Sequence, residues 1–513
     1  MNKSNDRIFS EFKILGTISK DFWLTNGIQF FEGLSYFSLI TIFTLYLTDN
    51  CGFSDIASGA WVSIFTLYVT AFVLAVGSIC DVIGIKKSFY IGLGLLLISR
   101  LGLWLAPMYC QGDVASIVNG AIGTSFQFKF SVEQITVMSS ILVMSLGTAF
   151  IGPVSQAALR RFTSARTRAT GFNIYYIIMN VSAIAANLIM IDYFRSTYGP
   201  TEGNIHIMNF IFLMTLGAFI CVYFIDENNY ADKEEIIEEQ ETRRPLHIFL
   251  EVWKESAFQK LVAFLLLTIG VRLVFTLQFL VMPKYYTRVL YDDFNLGAAN
   301  AINPVIIVFG LIAVLPFIHR FSTIKLMVWG MAISAFSLVL MVLPIEWFLA
   351  VPGVHTLSQA FFFVIVTQIL MFALGELLFS PRFTEYVASV APKDKVASYM
   401  ALSALPMFIA KPINGFLSGI LISLFCYDGI RAKIDTSNIT YGDSPQFMWL
   451  IYFIMAALSP ICIILFKKRL EIKKAQASLP EKEEEEASAA ASVYLDPQET
   501  QADEIGSATP ANH

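Results

Sequence analysis

Charge is scarce in this chain: of its 513 residues only 15% are charged, while 56% are apolar and 45 are Phe. A soluble domain of this length cannot hide so much apolar surface, so lipid must cover it. Histidine is rarer still. His206, His247, His319, His355 and His513 all fall in loops, tails or the edges of apolar runs. No H-E-x-x-H, no G-x-x-x-x-G-K-S/T and no buried Ser/His/Asp set occurs, which argues against zinc hydrolysis, ATP-driven work within the chain and triad catalysis. The six cysteines show no C-x-x-C or other metal spacing and read as small packing residues. Cys51, Cys110 and Cys426 fall near one membrane face, which leaves a disulfide among them open. With a net charge of −5 and no basic patch, nucleic acid is not an expected partner. The chain is expected to be no enzyme and to hold neither cofactor nor metal.

What the chain has is apolar length. A spanning helix needs about 20 mostly apolar residues, and twelve runs qualify. In the first half they lie near 24–48, 57–79, 88–108, 134–157, 171–191 and 206–225. In the second half they lie near 259–282, 299–318, 325–343, 357–380, 397–424 and 446–467. No A-x-A-like site follows the first run, so it reads as a retained helix and not a signal peptide. An even number of spans puts both termini on one side. Lys and Arg choose the side: only Lys129, Arg195, Lys284, Arg288, Arg431 and Lys433 fall in the opposite loops, whereas Arg160, Arg161, Arg166 and Arg168 crowd one short loop. Both termini are therefore expected in the cytoplasm, with the chain in an inner or plasma membrane.

This gives a cytoplasmic N-terminus (1–23), a six-helix bundle (24–225), a cytoplasmic linker (226–258), a second six-helix bundle (259–467) and a tail (468–513). The linker opens acidic (Glu234 to Glu241) and ends on Arg243-Arg244-Pro245; an amphipathic surface helix and a solvated strand of chain fit it equally. The tail, with Glu483 to Glu486 and an Ala/Ser-rich stretch, reads as disordered. The two halves also repeat a phrase. Leu146-Gly147, four residues, Gly152-Pro153 returns as Leu374-Gly375, four residues, Ser380-Pro381. Internal repeats with a solute site between them mark secondary transporters.

Charges inside spans are costly and commonly line a cavity or pair. They are Glu32, Arg100, Arg272, Glu376 and Lys411. Arg272 and Lys411 sit near the centres of their spans and are expected to meet a solute or a coupling carboxylate. The other reading is a structural bridge, Glu376 with Lys411 or Glu32 with Arg272. For Arg100 the structural reading is preferred. Pro406, Pro412 and Gly415 would bend span 11 beside Lys411.

Motifs add a family likeness. Gly77-Ser78-Ile79-Cys80-Asp81-Val82-Ile83-Gly84-Ile85-Lys86-Lys87 resembles the span 2–3 loop of the major facilitator superfamily, G-x-x-x-D-x-x-G-x-K/R-K/R. Gly375-Glu376-Leu377-Leu378-Phe379-Ser380-Pro381 resembles the G-E-x-x-x-S-P of proton-dependent oligopeptide transporters. Asn303-Pro304 in span 8, the aromatic pair Tyr175-Tyr176 followed by Asn180 in span 5, and Glu32 with Tyr36 in span 1 are similar to further segments of that family. The departures are specific. Gln29 and Gly33 stand where the span 1 motif has Glu and Arg, Gly152 aligns with a Lys, and Leu277, before Gln278, aligns with a Glu.

The resemblance implies an all-α membrane protein, twelve transmembrane helices in two pseudo-repeated six-helix bundles, working as a monomer by alternating access. It implies proton-linked uptake (symport) of small peptides or related carboxylated solutes across the lipid bilayer. On this reading Glu376, Arg272, Lys411, Asn303, Asn180, Tyr36, Tyr176 and Gln278 bind solute, Glu32 and Glu376 couple protons, and Gly77, Asp81, Gly84, Lys86 and Lys87 form a conformational motif. A facilitator or exchanger of organic anions, an exporter of amphipathic compounds and a sensor that no longer transports are the alternatives.

Overall fold

The computed structural model describes residues 19–110, 112, 131–164, 167–227, 229, 256–290, 294–318, 321–390, 405–436 and 438–470. The acidic tail and nearly all of the linker lie outside these residues, so neither expectation about them is addressed. Helix is the only regular structure among the described residues, as hydrocarbon demands, because a helix satisfies its own backbone polar groups.

In the first half the helices are α1 (Lys20–Leu45), α2 (Asp55–Ile83), α3 (Ile85–Tyr109), α4 (Val132–Phe162), α5 (Arg168–Ala185) and α6 (Pro200–Tyr223). In the second half, α7 comes in two pieces, Ser256–Leu267 and Ile269–Leu280, bent by 45°. It is followed by α8 (Leu296–Ile318), α9 (Thr323–Ser337), α10 (Leu357–Val390), α11 (Leu405–Phe425) and α12 (Pro445–Leu470). Among the described residues ten helices are long and apolar enough to cross a membrane, or eleven if bent α7 counts as one span. The twelfth expected span is α8, a helix of 23 residues whose described apolar part is Leu296–Gly310.

Starts are set by polar caps. Ser54 Oγ accepts the Ala57 amide at 3.2 Å, and Ser131 forms a reciprocal capping box with Gln134. Large apolar side chains such as Ile98 (66% exposed), Phe309 (67%) and Leu465 (73%) face outward, a surface suited to lipid. None of the six cysteines is in a disulfide.

The repeated phrase has a packing cause. A Cβ on Gly147 of α4 would lie 2.9 Å from the Gly92 carbonyl of α3, and one on Gly375 of α10 would lie 2.7 Å from the Gly330 carbonyl of α9. Each half thus lays its fourth helix on its third through a glycine pair, so the backbones meet closely.

The halves join at the end remote from the Arg160–Arg168 loop (the latter is called the basic end below). Against α11, a Cβ on Gly59 of α2 would strike the Gly415 carbonyl and lie 2.8 Å from Gly419 Cα. Ser63 Oγ donates to the Pro412 carbonyl at 2.7 Å. Asp192 in the first half accepts the Gly297 amide of α8 at 2.7 Å, and Asp55 bonds Lys284 and Arg288 of the second half. These contacts between the halves lie toward that remote end. Gly59→Leu should wedge α2 from α11; overpacking of about 1–3 kcal/mol shifts the closed state's population by about tenfold or more. The expected result is folded protein whose remote-end cysteines react faster with impermeant maleimide by about that factor.

Candidate functional site

Two charge systems occupy the spans. In the first half Glu32 (4% exposed) and Arg100 (1%) face each other in a bidentate pair, with Arg100 Nη1 and Nη2 each 2.6 Å from a carboxylate oxygen. Arg100 also donates to Thr215 Oγ1, whose helix α6 closes this pocket. Two planar ions in parallel contact make a strong, geometrically fixed pair. Arg100 is thus held in an ion pair, and its partner is Glu32. Glu32 does not approach Arg272, and Arg100 is the cation that meets it in place of the anticipated bridge. Beside this pair the Tyr175 hydroxyl donates to Gln29 Oε1 at 2.6 Å. Gly152, aligned with a lysine in the resemblance, has no atom within 4 Å of where a Cβ would stand.

The second half holds the other system. Glu376 Oε2 accepts from Asn303 Nδ2 of α8 at 3.0 Å. Arg272 of α7 lies over three rings, Phe275, Phe379 and Phe383, at 5.3, 4.8 and 4.6 Å. Cation–π contact of this kind holds a guanidinium without neutralising it. Arg272 and Glu376 interact electrostatically but are not in ion-pair contact. Tyr176, from the first half, also lies within electrostatic reach of Glu376. Lys411 has no carboxylate partner among the described residues, so the anticipated Glu376–Lys411 bridge is absent; Asn303 is what Glu376 meets.

The remaining expected site residues scatter. Gln278 Nε2 donates to the Asn300 carbonyl at 3.4 Å. Asn180 turns back on its own helix, donating to the Tyr176 carbonyl at 2.9 Å. Tyr36 rests edge-on against Phe37. Of the loop motif, Gly84 has φ +88°, a conformation that favours glycine and breaks α2 from α3. Lys86 Nζ caps the end of α6 through the Tyr223 and Ile225 carbonyls at 3.0 and 2.7 Å, while Lys87 is exposed. The side chains of Gly77 and Asp81 lie outside the described set.

A third cluster escaped the sequence reading. Asp55 accepts from Lys284 at 2.5 Å and Arg288 at 2.9 Å, and Arg288 Nε reaches Asp428 at 2.6 Å. Burial pulls the Lys284 ammonium below the ordinary lysine value, and Asp55 beside it works against that pull. Losing Asp55 would leave a buried cation unpaired, which is strongly unfavourable for the closed arrangement. Asp55→Asn should raise labelling of remote-end cysteines by impermeant maleimide by about tenfold, while leaving labelling at the basic end unchanged or lower.

Comparison with known proteins places this geometry. The Major Facilitator Superfamily profile matches residues 25–410. Among solved structures, a POT family transporter in complex with 5-aminolevulinic acid superposes with a TM-score of 0.64 at 14% identity, covering 88% of this chain and 96% of the other. A peptide transporter POT in complex with sulfate gives 0.62 at 14%, covering 88% and 95%. A structure from work on substrate recognition in proton dependent oligopeptide transporters gives 0.59 at 16%, covering 88% and 98%. At such identities the likeness is one of fold. None of the curated proteins matches. With the profile spanning most of the chain and a paired-bundle membrane fold beneath it, this protein is a transporter of the major facilitator superfamily.

Proposed function

We propose that the chain is a proton-linked secondary transporter, a divergent relative of the oligopeptide transporters, importing small peptides or related carboxylated solutes by alternating access. The observation that carries this reading is the placement of Glu376. It sits inside a span, half-buried, hydrogen-bonded to neutral Asn303, facing a guanidinium it does not touch and a tyrosine of the opposite half. A carboxylate so placed has two alternatives: a proton, or closer approach to Arg272. Protonated, it releases Arg272 to a solute carboxylate; ionised, it competes for Arg272 and helps expel the solute. Rocking of the halves changes which side supplies the proton.

The closed remote end and the positive-inside bias together suggest a state open toward the cytoplasm. Glu32 is then a fixed strut, since Arg100 already neutralises it, and Glu376 carries the coupling alone. The test is uptake in proteoliposomes of a small-peptide and organic-acid panel, with and without an inward proton gradient. Accumulation above equilibrium only with the gradient is expected. Equal uptake in both conditions would make the protein a facilitator.

A further inference from the structure

We infer that the solute is a net anion, held by Arg272 and Lys411 together, and not a zwitterion. This rests on the transporter reading above and narrows its substrate class. The first step is depth. Asn414 Nδ2 of α11 donates to Thr276 Oγ1 of α7 at 2.6 Å and fixes the register of those helices. Arg272 lies four residues from Thr276 toward the basic end, and Lys411 three residues from Asn414 in the same direction. At 1.5 Å rise per residue these are drops of about 6 and about 4.5 Å, so the two cations share one level.

The second step is direction. Positions i, i+3 and i+4 share a helix face. Asn414 addresses α7, while Gly415 packs on Ser63 of α2. Lys411, one turn below both, therefore sits over the seam between α7 and α2, which is the seam between the halves. Arg272 is backed on one side by its phenylalanines, and its Nε is buried without a hydrogen-bond partner.

The third step is charge. Near the centres of the second half's spans the described ionisable side chains are Arg272, Lys411 and Glu376, which leaves one positive charge in excess when Glu376 is ionised and two when it is protonated. Among the described residues near the centres of the first half's spans, no side chain offsets this. Glu32 and Arg100 cancel each other, Gln29 and Tyr175 are neutral, and Gly152 presents empty space. An uncompensated cation within a span is costly, so the bound state favours a ligand that supplies the missing negative charge. A zwitterion leaves the excess as it was. With Glu376 protonated, the state that frees Arg272, a monoanion halves the excess and a dianion removes it.

The test uses three ligands of one backbone: Ala-Ala, N-acetyl-Ala-Ala (net −1) and Ala-Ala-amide (net +1), competing in counterflow by full-length protein in liposomes. The N-acetylated acid should compete about tenfold better than the zwitterion, equivalent to about 1.4 kcal/mol, and the amide not at all. Lys411→Gln should bring the ratio of acid to zwitterion toward one, and Lys411→Arg should restore it; a merely structural lysine would move both ligands together. Equal or better competition by Ala-Ala overturns the charge inference and leaves the transporter reading intact. No counterflow of any of the three, with folded protein, overturns both.

Discussion

Glu376→Gln should abolish gradient-driven accumulation while leaving counterflow within about threefold of wild type, a loss of under about 0.7 kcal/mol in the exchange step. The amide keeps its shape and can accept from Asn303 as the carboxylate does. What it cannot do is gain or lose a proton. Counterflow asks only that the loaded carrier alternate, so it survives; accumulation against a gradient asks that each cycle carry a proton, so it fails. Loss of both activities in folded protein would instead make Glu376 a binding group. Retention of both would remove it from the mechanism.

The second large effect is on stability. Glu32→Gln leaves Arg100 as a buried cation without its counter-charge, and breaking one side of such a pair costs about 3–5 kcal/mol. The expected outcome is a fall of several degrees in the melting temperature of the detergent-solubilised protein. The double variant Glu32→Leu with Arg100→Met should recover most of the loss, because an apolar pair of similar volume is close to neutral when both charges go together. Transport should return with stability. If Glu32→Gln melted like wild type yet lost proton-driven accumulation, Glu32 would be a coupling group and not a strut.

That contrast shows what the sequence can and cannot convey. The spans were legible because bilayer thickness fixes the length of an apolar run, and their edges moved for local reasons. The helix α4 continues past the expected 157 to Phe162, because Arg160 and Arg161 extend its last turn into the headgroups. The helix α10 runs on to Val390, with Pro381 inside it. Helix rotation was not legible, so the partner of Glu32 was misjudged. A signal did exist: Glu32 and Arg100 are the two charges in the first half's spans, and local neutrality would have paired them.

The aromatic bed of Arg272 was also readable in part. Phe379 and Phe383 stand three and seven residues after Glu376, on the face that Glu376 presents. The Asp55–Lys284–Arg288–Asp428 cluster was not readable, since Asp55 and its two cations sit at span ends in different halves and meet only once the bundles dock. Asn180 and Gln278 carried family resemblance but bond within their own halves. Resemblance names positions; it does not fix side-chain partners where the surrounding charges have changed.

The most direct measurement is proton movement itself. Liposomes holding wild-type protein and an internal pH dye, with no imposed pH gradient, would be given solute outside at a saturating concentration. Internal acidification that rises with solute uptake and is absent with Glu376→Gln is the expected result. Solute entry in wild type without any change in internal pH would contradict it.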